Sequence, residues 1–366
     1  MPDSVPTSSA QLNCLCGAIT LPGSVLDHPT FPIPEEICHC NPCRYVSGSL
    51  SPAFPRLTSA PPPAVLAKLT CYSSSDRCNR YFCSTCGAHC FVEHPQVQDE
   101  WHCNAGIIDP PASPPVKDVI LITSHAYIDD AIDGGLTPLF LSPTSGYDPS
   151  DHLYPEVRGK NAVKASTVLD MAKKALSCPL PGPDDTLSAK CHCGGVSLSI
   201  ERADYVRNPH NVGSSMMPSH PNKYVAWFCV CRSCRLATGY SLQPMVYVPP
   251  AAIRNATNGA PVVFGRAAKE PGANKGLKLK HYLSTEDVQR SFCGGCGATV
   301  FYTFLGESDN GVVDVSAGIL RADSGSLARE WVEWRDGYMS HEEECVDKSQ
   351  AECVKKGWTA LGLNQA

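Results

Sequence analysis

The stretch Phe82-Cys83-Ser84-Thr85-Cys86-Gly87-Ala88 decides the fold, and Phe292-Cys293-Gly294-Gly295-Cys296-Gly297-Ala298 repeats it. Two cysteines three positions apart and followed by glycine are typical of a tight turn that directs both thiols toward one metal ion. The glycine allows the backbone to turn sharply beneath the metal. An arginine, Arg80 or Arg290, precedes the first cysteine of each copy by three residues. This repetition predicts a duplicated zinc-binding unit.

Two more cysteine motifs occur once in each half of the chain, in the same order. Paired cysteines come first, at Cys14-Leu15-Cys16 and Cys191-His192-Cys193. A cluster of three follows, at Cys38-His39-Cys40-Asn41-Pro42-Cys43-Arg44 and Cys229-Val230-Cys231-Arg232-Ser233-Cys234-Arg235. We expect the paired cysteines to lie on strands, at residues 13–21 and 191–198, because residues two apart on a strand share a face. Each half thus supplies thiols in the order two, three, two.

The cysteine content favours metal ligation over disulfides. The chain has 21 cysteines, an odd number, and close neighbours such as these rarely bridge each other in a structural disulfide. We therefore expect a cytoplasmic protein, with the nucleus as the alternative. The chain of 366 residues is long enough for two domains that each have a core.

Charge and hydropathy exclude several classes of protein. The net charge is -6 and no basic tract is present, so we expect no nucleic-acid partner. The polar, Pro- and Ser-rich N-terminus is unlike a secretory signal. No apolar run approaches the roughly 20 residues needed to cross a bilayer, so we expect no membrane association.

The composition predicts four segments along the chain. Residues 1–11 are expected to form a disordered tail and residues 12–141 the first zinc-binding domain. Residues 142–188 are expected to be a linker whose apolar spacing predicts one helix over residues 162–177. Residues 189–366 are expected to form the second domain, with a C-terminal cap.

The thiol count of each half suits two metal ions of different character. Four thiolates close a tetrahedral zinc site and leave no room for chemistry. The remaining three can hold a second zinc with one position open, as catalytic sites do. The spacing alone leaves open which pairs share a metal.

The motifs resemble a known family. The order C-x-C-G, then C-x-C-x-x-C-R with a glycine five residues on, then R-x-F-C-x-x-C-G, is similar to the glutathione-dependent formaldehyde-activating enzyme family, which includes centromere protein V. The resemblance covers residues 12–140 and 189–345, so it indicates two tandem copies. It implies a mainly β fold of small coiled antiparallel sheets in two zinc-bound domains joined by the linker with its helix.

The resemblance also implies which cysteines share a metal. The structural zinc sets are Cys14, Cys16, Cys83 and Cys86 in the first half and Cys191, Cys193, Cys293 and Cys296 in the second. The open, catalytic sets are Cys38, Cys40 and Cys43 in the first half and Cys229, Cys231 and Cys234 in the second. We therefore expect up to four Zn²⁺ ions per chain, with glutathione as co-substrate.

The resemblance implies carbon–sulfur lyase chemistry of the S-hydroxymethylglutathione synthase type. Glutathione, or another thiol, and formaldehyde or a related small electrophile would be the partners, since a zinc-bound thiolate is a nucleophile for an aldehyde carbon. Arg44 and Arg235 would either bind a glutathione carboxylate or form structural salt bridges.

Two alternatives accompany this interpretation. The chain could be a non-catalytic, zinc-stabilised protein-interaction module with a protein partner, or one unit could be active and the other a scaffold. His39 is expected to be a packing residue rather than a ligand. Cys103 is expected to be a small buried apolar residue, with a fourth ligand of the first open site as the alternative.

Overall fold

The computed structural model describes residues 5–141, 152–206, 212–306 and 311–362, and its two halves follow the same path. The first half contains strands β1 Gln11–Asn13, β2 Thr20–Pro22, β3 Ile33–Cys38, β4 Leu69–Ser75, β5 Cys78–Cys83, β6 His89–Glu93, β7 Trp101–Cys103, β8 Ile108–Asp109 and β9 Ile120–Ala126. The second half contains strands β10 Thr186–Lys190, β11 Ser197–Glu201, β12 Tyr224–Cys229, β13 Gln243–Val248, β14 Ile253–Asn255, β15 Leu279–Thr285, β16 Val288–Cys293, β17 Thr299–Phe304, β18 Val313–Ser316, β19 Leu320–Arg321 and β20 Val332–Ser340. The helices are α1 Asn41–Ser47, α2 Pro63–Leu66, α3 Thr137–Phe140, α4 Ala165–Leu176, α5 Arg232–Thr238 and α6 Lys348–Leu361.

The second half shows the sheet arrangement in its more continuous form. A seven-stranded sheet has the order β15-β16-β17-β18-β13-β12-β20, and a four-stranded sheet has the order β14-β11-β10-β19. All of these pairs are antiparallel except β12 with β20, which is parallel. The predicted mainly β fold of small sheets is confirmed, and the parallel pair is a feature that the sequence did not indicate.

The first half breaks the large sheet into pieces. Its strands form a sheet of order β4-β5-β6-β7, a parallel pair β3-β9 and a small sheet β2-β1-β8. The irregular segment that takes the place of β13 carries Pro52 and Pro55, whose carbonyls still accept hydrogen bonds from the backbone nitrogens of Cys38, at 3.0 Å, and Cys103, at 2.8 Å. Because proline has no backbone N–H to donate, a continuous ladder does not form there.

Reciprocal backbone contacts join the two halves. The nitrogen of Gly106 donates to the carbonyl of Gly239 at 3.0 Å, and the nitrogen of Gly318 donates to the carbonyl of Gly48 at 3.0 Å. A Cβ on Gly106 would lie 2.1 Å from the nitrogen of Tyr240, so only glycine permits this approach. The exchange of equivalent bonds in both directions is the pattern of an isologous, dimer-like interface within one chain.

The linker helix and the C-terminal helix both reach the first half. Helix α4 confirms the predicted helix and places Val168 in a buried cluster with Ile128 and Leu153. In α6, Trp358 stacks on Trp334 of β20 with ring centroids 5.6 Å apart. Just before α6, the Asp347 carboxylate accepts hydrogen bonds from the backbone of β9. The predicted C-terminal cap therefore packs on both halves rather than on the second alone.

Three local predictions require correction. The predicted disordered tail is wrong for residues 5–11: Thr7 is buried and its nitrogen donates to the carbonyl of Pro29 at 3.0 Å, while residues 1–4 lie outside the described residues. The paired cysteines lie in turns rather than strands, since the nitrogen of Gly17 bonds the carbonyl of Cys14. The second unit begins at Thr186, the start of β10, rather than at residue 189.

Two further observations bear on the predicted organisation. The first part of the predicted linker, residues 142–151, lies outside the described residues. Among the residues that the structure describes, no helix is both long enough and apolar enough to cross a membrane.

Candidate metal and thiol site

Each half brings four thiols together at its metal-binding turns. The sulfur atoms of Cys14, Cys16, Cys83 and Cys86 lie within 4.8 Å of one another, as do those of Cys191, Cys193, Cys293 and Cys296. Measured neighbours include Cys16 and Cys83 at 3.6 Å and Cys193 and Cys293 at 3.5 Å. Tetrahedral zinc with Zn–S bonds of about 2.3 Å requires S–S distances of about 3.8 Å, so both sets fit a closed zinc site.

The glycine of each metal-binding turn has a second role that its sequence did not indicate. Gly87 and Gly297 adopt positive φ angles of 82°, as the tight turn requires. A Cβ on Gly87 would lie 2.5 Å from the ring of Phe292, and one on Gly297 would lie 2.6 Å from the ring of Phe82. Each turn therefore packs directly against the phenylalanine that precedes the other turn, which joins the two structural sites back to back.

The clusters of three thiols lie where a strand meets a short helix. Cys229 ends β12 and Cys231 caps α5, where its sulfur accepts a hydrogen bond from the nitrogen of Cys234 at 3.2 Å. Cys40 caps α1 in the same way and bonds the nitrogen of Cys43 at 3.3 Å. The three sulfurs of each cluster lie within 4.8 Å of one another, which fits a metal held by three thiolates.

A buried arginine contacts each cluster of three. Arg80 donates to the sulfur of Cys43 at 3.1 Å, and Arg290 donates to the sulfur of Cys234 at 3.5 Å. Hydrogen bonds from the neighbouring thiols, followed by the charge of the arginine, hold the pKa of Cys43 and of Cys234 well below the usual range. Both arginines belong to the repeated motif, although the motif alone does not indicate this contact.

Arg44 and Arg235 lie in the interface between the halves instead of facing the thiols. Arg235 donates to the carbonyl of Ile108 at 2.6 Å and to the Asp109 carboxylate at 2.8 Å, and Arg44 donates to the carbonyl of Leu320 at 3.0 Å. Both side chains are buried. This placement favours the structural alternative over glutathione binding, with a salt bridge between Arg235 and Asp109.

A cavity of about 450 Å³ adjoins the second cluster. Its floor carries all three thiols, Cys229, Cys231 and Cys234, and its walls carry Arg290, Asp314 and a set of large side chains. That set comprises Trp227, Met245, Tyr247, Tyr302 and Phe304. None of the thiols of the first cluster lines this cavity, so the two clusters differ in their surroundings although their sulfur arrangements match.

His39 belongs to a buried hydrogen-bonding group beside the first cluster. Its Nε2 atom lies 2.9 Å from Nδ1 of His125 and 3.0 Å from the hydroxyl of Thr137. Burial lowers the pKa of His39 to about 3, so its ring is neutral. This placement agrees with the predicted packing role.

Cys103 lies on β7 and is fully buried, and burial raises the pKa of its thiol. It is not a member of the thiol group formed by Cys38, Cys40 and Cys43. The structure therefore favours the packing role over a fourth ligand.

Comparison with known proteins identifies one family. The family model described as glutathione-dependent formaldehyde-activating enzyme matches residues 9–124 and 214–334, once in each half. No curated protein matches the chain significantly.

Proposed function

Because the chain belongs to the glutathione-dependent formaldehyde-activating enzyme family, we propose that it joins a thiol such as glutathione to a small aldehyde and catalyses the reverse cleavage. This is carbon–sulfur lyase chemistry of the S-hydroxymethylglutathione synthase type. We assign it to the three-thiol cluster of the second unit, in the reducing environment of the cytoplasm, where a thiol substrate persists.

The main support for this proposal is the cavity that is lined by the three thiols of the second cluster. Cys229, Cys231 and Cys234 supply three ligands, and the space beside them can admit a fourth from solution. These three thiolates would hold a zinc ion, which when bound would lower the pKa of a thiol at the open position. In the four-thiol sites the protein itself supplies the complete set, so those sites are structural.

Arg290 is placed to favour the charged form of the sulfur atoms. Its guanidinium contacts Cys234, is held on its other side by the hydroxyl of Ser284 at 3.2 Å, and is buried. A fixed positive charge in a water-poor site stabilises negative charge more than it would in water.

Asp314 supplies the proton that the addition requires. The thiol sulfur forms a bond to the aldehyde carbon while the π electrons of the carbonyl move to its oxygen, which must then be protonated. Asp314 lines the cavity and is only 8% exposed. Burial raises the pKa of Asp314 well above its usual range, so the carboxyl carries a proton to donate. The thiol's own proton restores the acid at the end of the cycle.

The test compares matched cysteine variants in the zinc-loaded, reduced protein. Exchange of formaldehyde with its glutathione adduct is measured by NMR exchange spectroscopy for the wild type, Cys229→Ser and Cys38→Ser. We expect Cys229→Ser to lower the catalysed exchange rate at least about 100-fold, since a catalytic group contributes that much or more. We expect Cys38→Ser to retain most of it.

Cys353→Ser serves as the control, because this buried cysteine of α6 lies outside the motifs. Equal losses in Cys229→Ser and Cys38→Ser would contradict the assignment to the second unit. No catalysed exchange by a wild-type protein that retains its zinc would favour the non-catalytic interaction module.

A further inference from the structure

We propose that the second unit acts on a ring-bearing, planar aldehyde rather than on formaldehyde alone. This inference rests on the proposed function and names the class of electrophile. It follows from a comparison of equivalent positions around the two clusters of three thiols.

The equivalent positions are fixed by shared strand pairing. Tyr247 lies opposite Asp314 between β13 and β18, and Arg56 lies opposite His102 in the first half. His102 and Asp314 are themselves equivalent, because they lie opposite Val92 and Tyr302 on the preceding strand. Arg56 therefore occupies the position of Tyr247. Trp227 and Glu36 are also equivalent, because each precedes the first cysteine of its cluster by two residues.

The same comparison applies to the strand that follows each metal-binding turn. Tyr302 and Val92 both stand six residues after the second cysteine of the turn, and Phe304 and His94 both stand eight after it. Four aromatic residues at the second cluster thus correspond to Glu36, Arg56, Val92 and His94 at the first.

The aromatic residues of the second unit lie on one face of the seven-stranded sheet, beside the thiols. Tyr247 and Tyr302 both lie opposite Asp314, on the two strands that flank it, and Trp227 lies opposite Met245 on the next strand. The ring centroids of Trp227 and Tyr247 are 5.4 Å apart with planes inclined by 34°, and the Tyr302 ring lies 5.2 Å from the guanidinium of Arg290. Phe304 is 40% exposed and lines the same cavity. Aromatic side chains that line a cavity accept a further ring in an offset or edge-on arrangement.

The size of the cavity also exceeds what a one-carbon aldehyde needs. A volume of about 450 Å³ lies within the range of about 300–1,000 Å³ that is typical of sites for small organic ligands. The lining combines the four aromatic side chains with polar groups that include Asp314, His341 and Glu344. The aromatic part of this lining is the part that matches a ring-bearing electrophile.

At two of the four equivalent positions the first cluster has ion-paired residues in place of rings. The Glu36 carboxylate lies 4.0 Å from Arg158, and the Arg56 guanidinium lies 3.8 Å from Asp27. Val92 presents a short side chain at the position of Tyr302. A planar ring would find no stacking partner at these three positions, and desolvating Glu36 and Arg56 would be unfavourable.

The test measures two aldehydes in one assay. NMR exchange between free aldehyde and its glutathione adduct is recorded for benzaldehyde and for formaldehyde with the zinc-loaded full chain. We expect the wild type to accelerate benzaldehyde exchange, and Cys229→Ser to abolish this acceleration. Tyr302→Val introduces the residue that the first unit has at this position. We expect it to lower the ratio of the benzaldehyde rate to the formaldehyde rate about tenfold, because loss of one ring contact costs roughly 1.4 kcal/mol.

Tyr338→Val is the matched control, because Tyr338 is 43% exposed and does not line the cavity; we expect its rate ratio to equal that of the wild type. Acceleration of formaldehyde without benzaldehyde would overturn the inference and leave the proposed function intact. Acceleration of neither aldehyde would overturn both. An unchanged ratio in Tyr302→Val, or an equal fall in Tyr338→Val, would overturn the role of the aromatic walls.

Discussion

The two clusters of three thiols share their ligand geometry and differ in their walls. In both, the second cysteine caps a short helix and a buried arginine contacts the third. Around the second cluster lies a cavity with four aromatic side chains, whereas Glu36 and Arg56, at two of the equivalent positions of the first cluster, are ion-paired. The short motif therefore determines how the three thiols are arranged, whereas residues on several separate strands determine which molecules can approach them.

The largest expected effect distinguishes closed from open thiol sites. We expect Cys293→Ser to release one zinc ion and lower the midpoint of thermal unfolding by more than about 10 °C, because a structural zinc contributes directly to folding and each 1 kcal/mol shifts the midpoint by about 2–4 °C. Cys229→Ser should lower it by only a few degrees. Circular dichroism melting and zinc analysis by mass spectrometry provide the measurement.

Cys178→Ser is the control for this pair, because Cys178 lies outside both kinds of site. Equal destabilisation by Cys293→Ser and Cys229→Ser would contradict the division into structural and open sites.

A smaller effect is expected at the interface, where the two halves differ in charge. Arg235 pairs with Asp109, whereas the hydrogen bonds that Arg44 makes to described residues go to neutral groups, at Leu320, Asn41 and Tyr45. Removal of one partner from a largely buried ion pair leaves an uncompensated charge. We expect Arg235→Gln to lower the free energy of unfolding by about 2–3 kcal/mol and Arg44→Gln by about 1 kcal/mol, as measured by urea denaturation.

Asp109 also pairs with Arg232, so the double-mutant cycle is measured in the Arg232→Gln background. There, Asp109→Asn combined with Arg235→Gln should cost less than the sum of the two separate changes, because either change alone breaks the Asp109–Arg235 pair. Full additivity of the two changes would show that this ion pair has no energetic role.

The smallest effect concerns Glu35, which occupies the position of Ala226 next to the aromatic wall of the second unit. Burial, followed by the charge of Glu36, raises the pKa of Glu35 from 4.5 to about 7. The folded state therefore keeps a proton that the unfolded state has lost, so the contribution of Glu35 to stability is most favourable below about pH 4.5 and decreases as the pH rises to about 7. Above that pH the loss is complete.

We expect Glu35→Gln to stabilise the protein by about 1–2 kcal/mol at pH 8 relative to its effect at pH 5, since one pKa unit corresponds to about 1.4 kcal/mol and the side chain is not fully buried. Urea denaturation at both pH values is the measurement, with Glu286→Gln at an exposed position as the control. A pH-independent effect would contradict the raised pKa.

Much of the local architecture could be predicted because it depends on short-range chemistry. The spacing in Cys83-Ser84-Thr85-Cys86-Gly87 indicates a metal-binding turn, and its repetition indicates two units. In the structure the four thiols of each set lie together. The apolar spacing around Val168 likewise identified α4. The paired cysteines were misplaced on strands because a two-residue spacing also fits a turn.

The sequence alone determined which thiols exist and in what order, because ligand motifs are local and repeat. Only the tertiary structure decided how the two units join and which thiol cluster opens into an aromatic cavity. Arg235 meets Asp109 across more than a hundred residues of chain, and Trp227, Tyr247 and Tyr302 converge from three separate strands. Such contacts depend on how strands pair and how the halves pack, and no short stretch of sequence encodes them.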